Sequence, residues 1–161
     1  MAGYQNIKTR DQQKKSKREN YKKDQYLEMQ KRTGYRGSDA LFIRHELSDG
    51  IDFDCIGNTL TQERTKNNLA LQGFLVSRQA SLPKGAKANG GSLVCQSLDR
   101  QGRLQNTTLM NGVDGLWIEE ISLASGKLSL DHGLIKVSLL MTDGAQVNIQ
   151  VERVFATRNF L

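Results

Sequence analysis

The end of the chain alternates apolar and polar residues, as half-buried antiparallel strands do. The clearest stretch is LIKVSLLMTDGAQVNIQVERVF, residues 134–155, which predicts a β-hairpin. We expect a three-residue loop at Thr142–Gly144, because the resulting register pairs Leu139 with Val147 and keeps the polar residues of both strands on one face. A two-residue loop would place apolar residues of the first strand on the same face as polar residues of the second. The alternation breaks at Arg153, which predicts a bulge there.

Further strands are predicted in the middle of the chain. Residues 92–109 predict a second hairpin that turns around Asp99–Gly102. The apolar residues of Leu116–Ile121 supply another strand, and Lys127–Leu130 supply a short one. The stretch LPKGAKANGG, residues 82–91, predicts a long exposed loop.

Two earlier stretches have a less regular pattern. GIDFDC, residues 50–55, predicts a half-buried strand with Ile51, Phe53 and Cys55 on one face and the two aspartates on the other. Residues 58–77 fit either a helix or a hairpin that turns at Lys66–Asn68. We favour the hairpin, because its apolar residues lie among β-favouring neighbours.

The first part of the chain predicts a helix instead. Thr9 and Gln12 have the spacing of a capping box, and acid-before-base pairs such as Glu28 and Arg32 recur at i,i+4 over Arg10–Thr33. The glycine at position 34 is a natural stop. The predicted fold is therefore mainly β: an antiparallel β-barrel or β-sandwich over residues 38–161, preceded by a basic α-helical arm over residues 1–37.

Charge is distributed very unevenly between these two parts. Residues 1–36 hold eleven lysines and arginines against four acids, a net charge of +7, whereas the remaining residues hold twelve against thirteen, a net charge of −1. All four tyrosines also lie within residues 1–35. Cations neutralise phosphates and release counterions, and tyrosine rings stack on exposed bases. This pattern predicts a polyanionic partner, either nucleic acid or an anionic surface.

From this distribution we expect a non-enzymatic nucleic-acid-binding protein, with RNA slightly preferred over DNA because single-stranded RNA offers unstacked bases. The arm would contact the phosphate backbone, and the β-domain would fold and self-associate, as in a viral or phage coat protein or a ribonucleoprotein component. An adaptor whose helix docks on another protein is an alternative. The predicted contact residues are Lys14, Lys15, Lys17, Arg18, Tyr21, Lys22, Lys23, Tyr26, Lys31, Arg32, Tyr35 and Arg36.

A second alternative comes from two short motifs. Arg32 and Arg36 form an RxxxR spacing before the β-domain, and Glu120-Ile-Ser122-Leu-Ala-Ser-Gly126 lies ahead of the last strands. This order resembles the PilZ family of cyclic-di-GMP receptors, in which RxxxR grips the ligand and [D/N]xSxxG completes the pocket. The resemblance implies a nucleotide-binding signalling module. The chain departs from the family pattern in its Glu120, in the serine-to-glycine spacing and in the distance between the motifs.

Catalytic, metal and cofactor sites are not predicted. His45 and His132 are the only histidines, and neither has a metal-ligand spacing to the other or to a cysteine. We expect His45 at an exposed strand position. Two cysteines, Cys55 and Cys95, are too few for a disulfide framework. With no transmembrane-length apolar run and no signal-peptide pattern, we expect a cytoplasmic location or a place within a nucleoprotein particle, not secretion.

Overall fold

The chain folds mainly into β-strands. A computed structural model describes residues 27–47, 51–65, 69–80, 84–85, 89–121 and 134–156. Across these ranges an antiparallel sheet runs in chain order from β1 to β7 and is not closed. The mainly β class and the antiparallel sheet confirm the sequence prediction, whereas barrel closure is not seen. The strands are β1 (Leu27–Gln30), β2 (Ala40–Glu46), β3 (Leu69–Arg78), β4 (Gly91–Leu98), β5 (Leu104–Ile121), β6 (Leu134–Thr142) and β7 (Asn148–Ala156).

Two compact units share the chain. The first includes Phe42–Phe74 and Cys95–Thr107, and its core is built from leucines of β3, β4 and β5. The second includes Met29–Leu41, Leu75–Val94 and Thr108–Leu161. Its buried apolar residues are Ala40, Leu41, Val76, Val94, Val113, Leu116, Ile118 and Ile135.

The helix predicted over Arg10–Thr33 is wrong at its end. Leu27–Gln30 is strand β1, and Tyr35–Gly37 is a tight turn in which Arg36 and Gly37 have left-handed φ values of 53° and 78°. Arg32 adopts a φ of 56°, in the left-handed region, which no right-handed helix passes through. Pairing of β1 with β2 and burial of Leu27 outweigh the i,i+4 charge pair, which is worth only about 0.2–0.5 kcal/mol. The rest of the predicted helix lies outside the described residues.

The last hairpin forms with a longer loop than predicted. Leu139 pairs with Val151 instead of Val147, so the loop has five residues, 143–147. The Asp143 carboxylate explains the length, because its Oδ1 accepts the backbone N–H groups of three loop residues at 2.8–3.0 Å. The register differs from the predicted one by an even number of residues, so residues predicted to share a face still share it. Ser138, expected on the solvent face, is buried. Pairing continues without interruption past Arg153, and the predicted bulge is wrong.

The hairpin at Asp99–Gly102 is confirmed. Asp99 N–H donates to the Arg103 carbonyl at 2.8 Å, and Asp99 Oδ1 accepts the N–H groups of Gln101 and Arg103. Gly102 takes the left-handed position with a φ of 69°. This geometry is a type I turn followed by a glycine bulge. Leu116–Ile121 is also a strand, as predicted, and forms the end of β5.

The strand predicted at residues 50–55 is wrong, and its faces are inverted. Ile51 and Phe53 are 73% and 55% exposed, whereas Asp54 is buried. Asp54 begins a turn that ends at Asn58 and has the same hydrogen bonds as the Asp99 turn. Gly57 has the left-handed conformation that Gly102 has there. A buried carboxylate is tolerated here because backbone N–H groups and a guanidinium satisfy it.

Residues 58–77 contain the predicted strand but not the full hairpin. β3 begins at Leu69, as expected for the second arm, whereas Gln62–Arg64 is a turn of 3-10 helix where the first arm was predicted. The predicted turn at Lys66–Asn68 lies outside the described residues, as do Lys127–Leu130, His132 and most of the loop at 82–91.

Cys55 and Cys95 form a disulfide, which the sequence analysis did not predict. Their Cα atoms are 6.1 Å apart, within the ordinary range for a disulfide. The bond joins the Asp54 turn to β4 in the first unit and closes a loop with a sequence separation of 40.

Candidate nucleic-acid interface

The segment that follows β1 is tied to β5 by one buried aspartate. Asp39, 3% exposed, accepts hydrogen bonds from Lys31 Nζ at 2.9 Å, from the Arg32 N–H at 3.0 Å and from the Ile118 N–H at 2.9 Å. Lys31 Nζ also donates to the Ile118 carbonyl. Burial, the largest influence, raises the pKa of Asp39, but the hydrogen bonds from Ile118, Lys31 and Arg32 outweigh it, and the net pKa lies below its ordinary value.

Two arginines in this segment hold unusual backbone conformations. Arg32 and Arg36, with φ of 56° and 53°, are the only non-glycine residues with positive φ among those described. Such conformations cost of order 1–3 kcal/mol each and persist when the surrounding structure enforces them. Here the enforcement comes from Asp39 on the Arg32 amide and from Ser38, whose N–H and hydroxyl both donate to the Tyr35 carbonyl.

Arg36 is engaged by its own unit. Its guanidinium forms an ion pair with Asp114, and the guanidinium carbon lies 5.2 Å from the centre of the Tyr35 ring. The Asp114 charge raises the pKa of Arg36 above its ordinary value. Tyr35 itself is half-buried, and a Cβ added at Gly91 would lie 2.9 Å from its ring. Tyr35 therefore packs tightly against the start of β4.

The described residues include only four of the predicted nucleic-acid contact residues. Lys31 and Arg36 are ion-paired with buried or half-buried carboxylates, and Tyr35 is packed. Arg32 is exposed, and its side chain makes no polar contact within the described part of the chain. The other predicted residues lie outside the described ranges: Lys14, Lys15, Lys17, Arg18, Tyr21, Lys22, Lys23 and Tyr26.

Ion pairs also occupy many cations elsewhere in the described residues. Arg64 pairs with Asp54, Arg103 with Asp99 at 2.7 Å, and Lys136 with Glu119 at 2.8 Å and Glu152 at 3.8 Å. The exposed cations without such a carboxylate, Arg32, Arg78, Lys84, Arg100 and Arg153, lie at scattered positions in the sequence. The β-rich part therefore balances much of its positive charge internally.

A polar groove of about 640 Å³ lies in the first unit between the two aspartate turns. Gly57 and Asn58 come from one turn, and Asp99, Arg100 and Gln101 come from the other. Of its two arginines, Arg64 is held by Asp54 and by backbone carbonyls, which leaves Arg100 exposed. The groove offers hydrogen-bonding groups without a concentration of positive charge.

The described residues lack two features that were considered from the sequence. They contain no group of three or more metal-ligating His, Cys, Asp or Glu side chains. They also contain no helix with the length and apolar character that crossing a bilayer requires. His45 is half-buried on β2, more than the exposed position predicted for it, and desolvation lowers its pKa despite the nearby charge of Asp52.

No protein-family model, curated protein or solved structure matches this chain. The PilZ resemblance consequently rests on the short motifs alone. Of these, Ser122–Gly126 lies outside the described residues, and Arg36 is engaged by Asp114. A ligand gripped by both arginines would have to displace that carboxylate.

Asp39 and Asp114 are the residues that the sequence analysis missed. Both hold predicted contact residues, and neither stands in a recognisable motif. A partial signal exists for Asp39, because Gly37-Ser38-Asp39 places two side-chain acceptors directly before a strand, where such residues bind free backbone N–H groups. Asp114 lies far from Arg36 in sequence and carries no comparable signal.

Replacing Asp39 with asparagine should destabilise the protein by about 1–3 kcal/mol. The amide can still accept hydrogen bonds on its oxygen, but its NH₂ group would face a donor, and Lys31 would lose its counter-charge. Urea unfolding monitored by circular dichroism measures the change. Asp114→Asn is the matched control and should cost less than about 1 kcal/mol, because its ion pair with Arg36 is solvent-exposed. Equal effects of the two substitutions would contradict this assignment.

Proposed function

We propose that this protein binds nucleic acid, preferably single-stranded RNA, through the basic, tyrosine-bearing segment that precedes β1. The observation that carries the proposal is the contrast between the two parts of the chain. In the β-rich part, Lys31, Arg36, Arg64, Arg103 and Lys136 are all paired with carboxylates. Residues 1–26, by contrast, hold eight lysines and arginines against three acids.

The physical mechanism is electrostatic contact supplemented by stacking. Each lysine or arginine that neutralises a phosphate releases a condensed counterion, so affinity falls with salt at a slope of about −0.7 per contact for single strands. Tyr4, Tyr21 and Tyr26 lie among these cations, and a stacked base contributes roughly 1–3 kcal/mol. Arg32, which is exposed and whose backbone is fixed by Asp39, adds one further cation from the described part of the chain.

Lys31 and Arg36 have a different role in this proposal. Their ion pairs with Asp39 and Asp114 fix the segment after β1 within the second unit. They would anchor the binding segment instead of contacting phosphates, because removing an ammonium from a buried carboxylate is costly.

The test compares two triple substitutions in the full chain. Neutralising Lys14, Lys15 and Lys17 to glutamine should weaken binding to a single-stranded oligoribonucleotide by about 10-fold or more and flatten the salt dependence by about two units. The matched control neutralises three exposed cations of the β-rich part, Arg78, Lys84 and Arg100, and should change affinity only slightly. Fluorescence anisotropy at several salt concentrations measures both quantities.

Tyr21→Ala should weaken binding further, by roughly 1–3 kcal/mol, whereas Tyr21→Phe should not, because the ring is retained. Equal losses from the two triple substitutions would assign binding to overall charge and overturn the proposed segment. Absence of binding by the unsubstituted chain at low salt would overturn the function.

A further inference from the structure

β7 is exposed on both of its faces, unlike the other long strands. All nine of its residues are exposed, including Ile149 at 53%, Val154 at 54% and Phe155 at 51%. It lies at the end of the strand order, and in the described sheet it pairs only with β6. Natural proteins usually protect a long apolar edge with charges, proline or a bulge. β7 contains no proline, and its ladder to β6 is regular, so the protection it has comes from the charges of Glu152 and Arg153.

The apolar face of β7 continues the core of the second unit. Leu116 on β5 lies opposite Leu139 on β6, which lies opposite Val151 on β7. Exposure rises along this row, because Leu116 is 4% exposed and Val151 is 38% exposed. Phe155 continues a second such row, beside the buried Ile135. The core face of the sheet is thus uncovered where the sheet ends.

The backbone of β7 is also positioned to accept another strand. Asp143 N–H donates to the Val147 carbonyl, which fixes the first hydrogen-bonded pair of the hairpin. Such pairs recur at every second residue of an antiparallel ladder. Val151 therefore directs its N–H and C=O groups to β6, whereas Gln150, Glu152 and Val154 direct theirs outward.

The geometry points to a second copy of this chain as the partner, through antiparallel pairing of β7 with β7. The residues that direct their N–H and C=O groups out of one β7 must lie opposite the equivalent residues of the other copy. Several registers meet this condition. Pairing centred on Glu152 sets two carboxylates opposite each other, and pairing centred on Arg153 does the same for two guanidinium groups, which is unfavourable. Three registers pair seven or more residues of each β7, those centred on Val151, Glu152 and Arg153, and of these the register centred on Val151 avoids both clashes.

The register centred on Val151 is self-complementary in detail. Gln150 lies opposite Glu152 of the other copy, so an amide faces a carboxylate. Arg153 lies opposite Ile149, and the two Val151 side chains meet at the two-fold axis, on the apolar face. Val151 then forms a non-hydrogen-bonded pair with its copy, with Cα atoms about 4.5 Å apart. The two open sheets become one continuous sheet.

A cysteine at the proposed axis tests the pairing directly. Both native cysteines are joined to each other, so Val151→Cys adds the only free thiol. In the full chain without nucleic acid, mild oxidation should convert most of the Val151→Cys protein to a covalent dimer on a non-reducing gel. Ile51→Cys, at a more exposed apolar position of the first unit, is the control and should form at least 10-fold less dimer under the same conditions.

Opposite charges at the same position provide the second test. Val151→Lys and Val151→Glu should each be monomeric by analytical ultracentrifugation, and an equimolar mixture should dimerise again, which a folding defect would not allow. A monomeric unsubstituted chain, a Val151→Cys protein that cross-links no better than its control, or open-ended oligomers instead of dimers would each overturn the proposal. Because nucleic acid is absent, failure here leaves the proposed binding function unaffected.

Discussion

Replacing Arg64 with methionine should destabilise the protein by about 3–5 kcal/mol, because it leaves the buried Asp54 carboxylate without its counter-charge. The Arg64 and Asp54 side chains are 8% and 0% exposed. Arg64 also donates from Nε to the Leu98 carbonyl and from Nη1 to the Thr59 carbonyl, both at 3.2 Å. One guanidinium thus links the Asp54 turn to the end of β4. Equilibrium unfolding in urea gives the free energy of unfolding for comparison.

Arg103→Met is the matched control for this substitution. Arg103 pairs with Asp99 in a turn of the same hydrogen-bond pattern, but its side chain is 67% exposed. Exposed ion pairs contribute only about 0–1 kcal/mol, so the control should cost little. If the two substitutions cost the same, burial of the Asp54 pair is not what stabilises the turn.

The same pair predicts a pH dependence. Burial, the largest influence on Asp54, raises its pKa, but hydrogen bonds from the Asn58 amide, the Arg64 guanidinium and the Ile56 amide lower it, and the net pKa lies below its ordinary value. A carboxylate with a depressed folded-state pKa stabilises the protein fully above its unfolded pKa of about 3.9, and this contribution is lost as the pH falls through the folded value. The difference in stability between wild type and Asp54→Asn should therefore shrink below about pH 4.

Removing the disulfide should cost roughly 4 kcal/mol, the chain-entropy value for a closed loop of about 40 residues. The bond joins Cys55, in the Asp54 turn, to Cys95, which is fully buried on β4. Without it, the unfolded chain regains the freedom of the intervening loop. Urea unfolding of the Cys55→Ala/Cys95→Ala variant, compared with the oxidised wild type, measures the loss.

Reduction of the wild type separates the bond from the side chains. With reductant present, the wild type should lose most of the same stability while keeping both sulfur atoms in place, and the double alanine variant should not respond. A wild type whose unfolding midpoint is unchanged by reductant would show that the bond contributes nothing to stability.

The parts of the fold that sequence predicts well are those where one face of a strand is apolar. The alternation over residues 134–155 identifies both strands and their faces, and Asp99–Gly102 identifies a turn with a known residue requirement. The loop length at Asp143 is not predicted, because it depends on one carboxylate accepting three backbone N–H groups. The alternation of apolar and polar residues excludes a shift of the register by one residue, which would turn every side chain to the other face. It does not distinguish registers that differ by two or four residues.

Failures of the sequence analysis share a physical cause. Asp54 has the residue type of a wet face, yet it is buried, because its partner Arg64 is supplied from ten residues away. Lys31 and Arg36 have the residue types of a phosphate-binding surface, yet the carboxylates of Asp39 and Asp114 hold them. The sequence gives the number of charged residues. Whether a cation can bind a phosphate depends on which carboxylates the fold places next to it.

The side chains at the middle positions of the two matching turns have different roles. In each turn, the aspartate carboxylate and the left-handed glycine fix the backbone. Of the side chains at the positions between them, that of Gln101 accepts a hydrogen bond within its turn, from Arg103 Nη2 at 3.1 Å. The Asp54 turn uses one such position for Cys55, and the Asp99 turn places Arg100 in solvent. Substitutions at Arg100 can therefore change the chemistry of that turn while its backbone stays the same, whereas Cys55 is required for the disulfide.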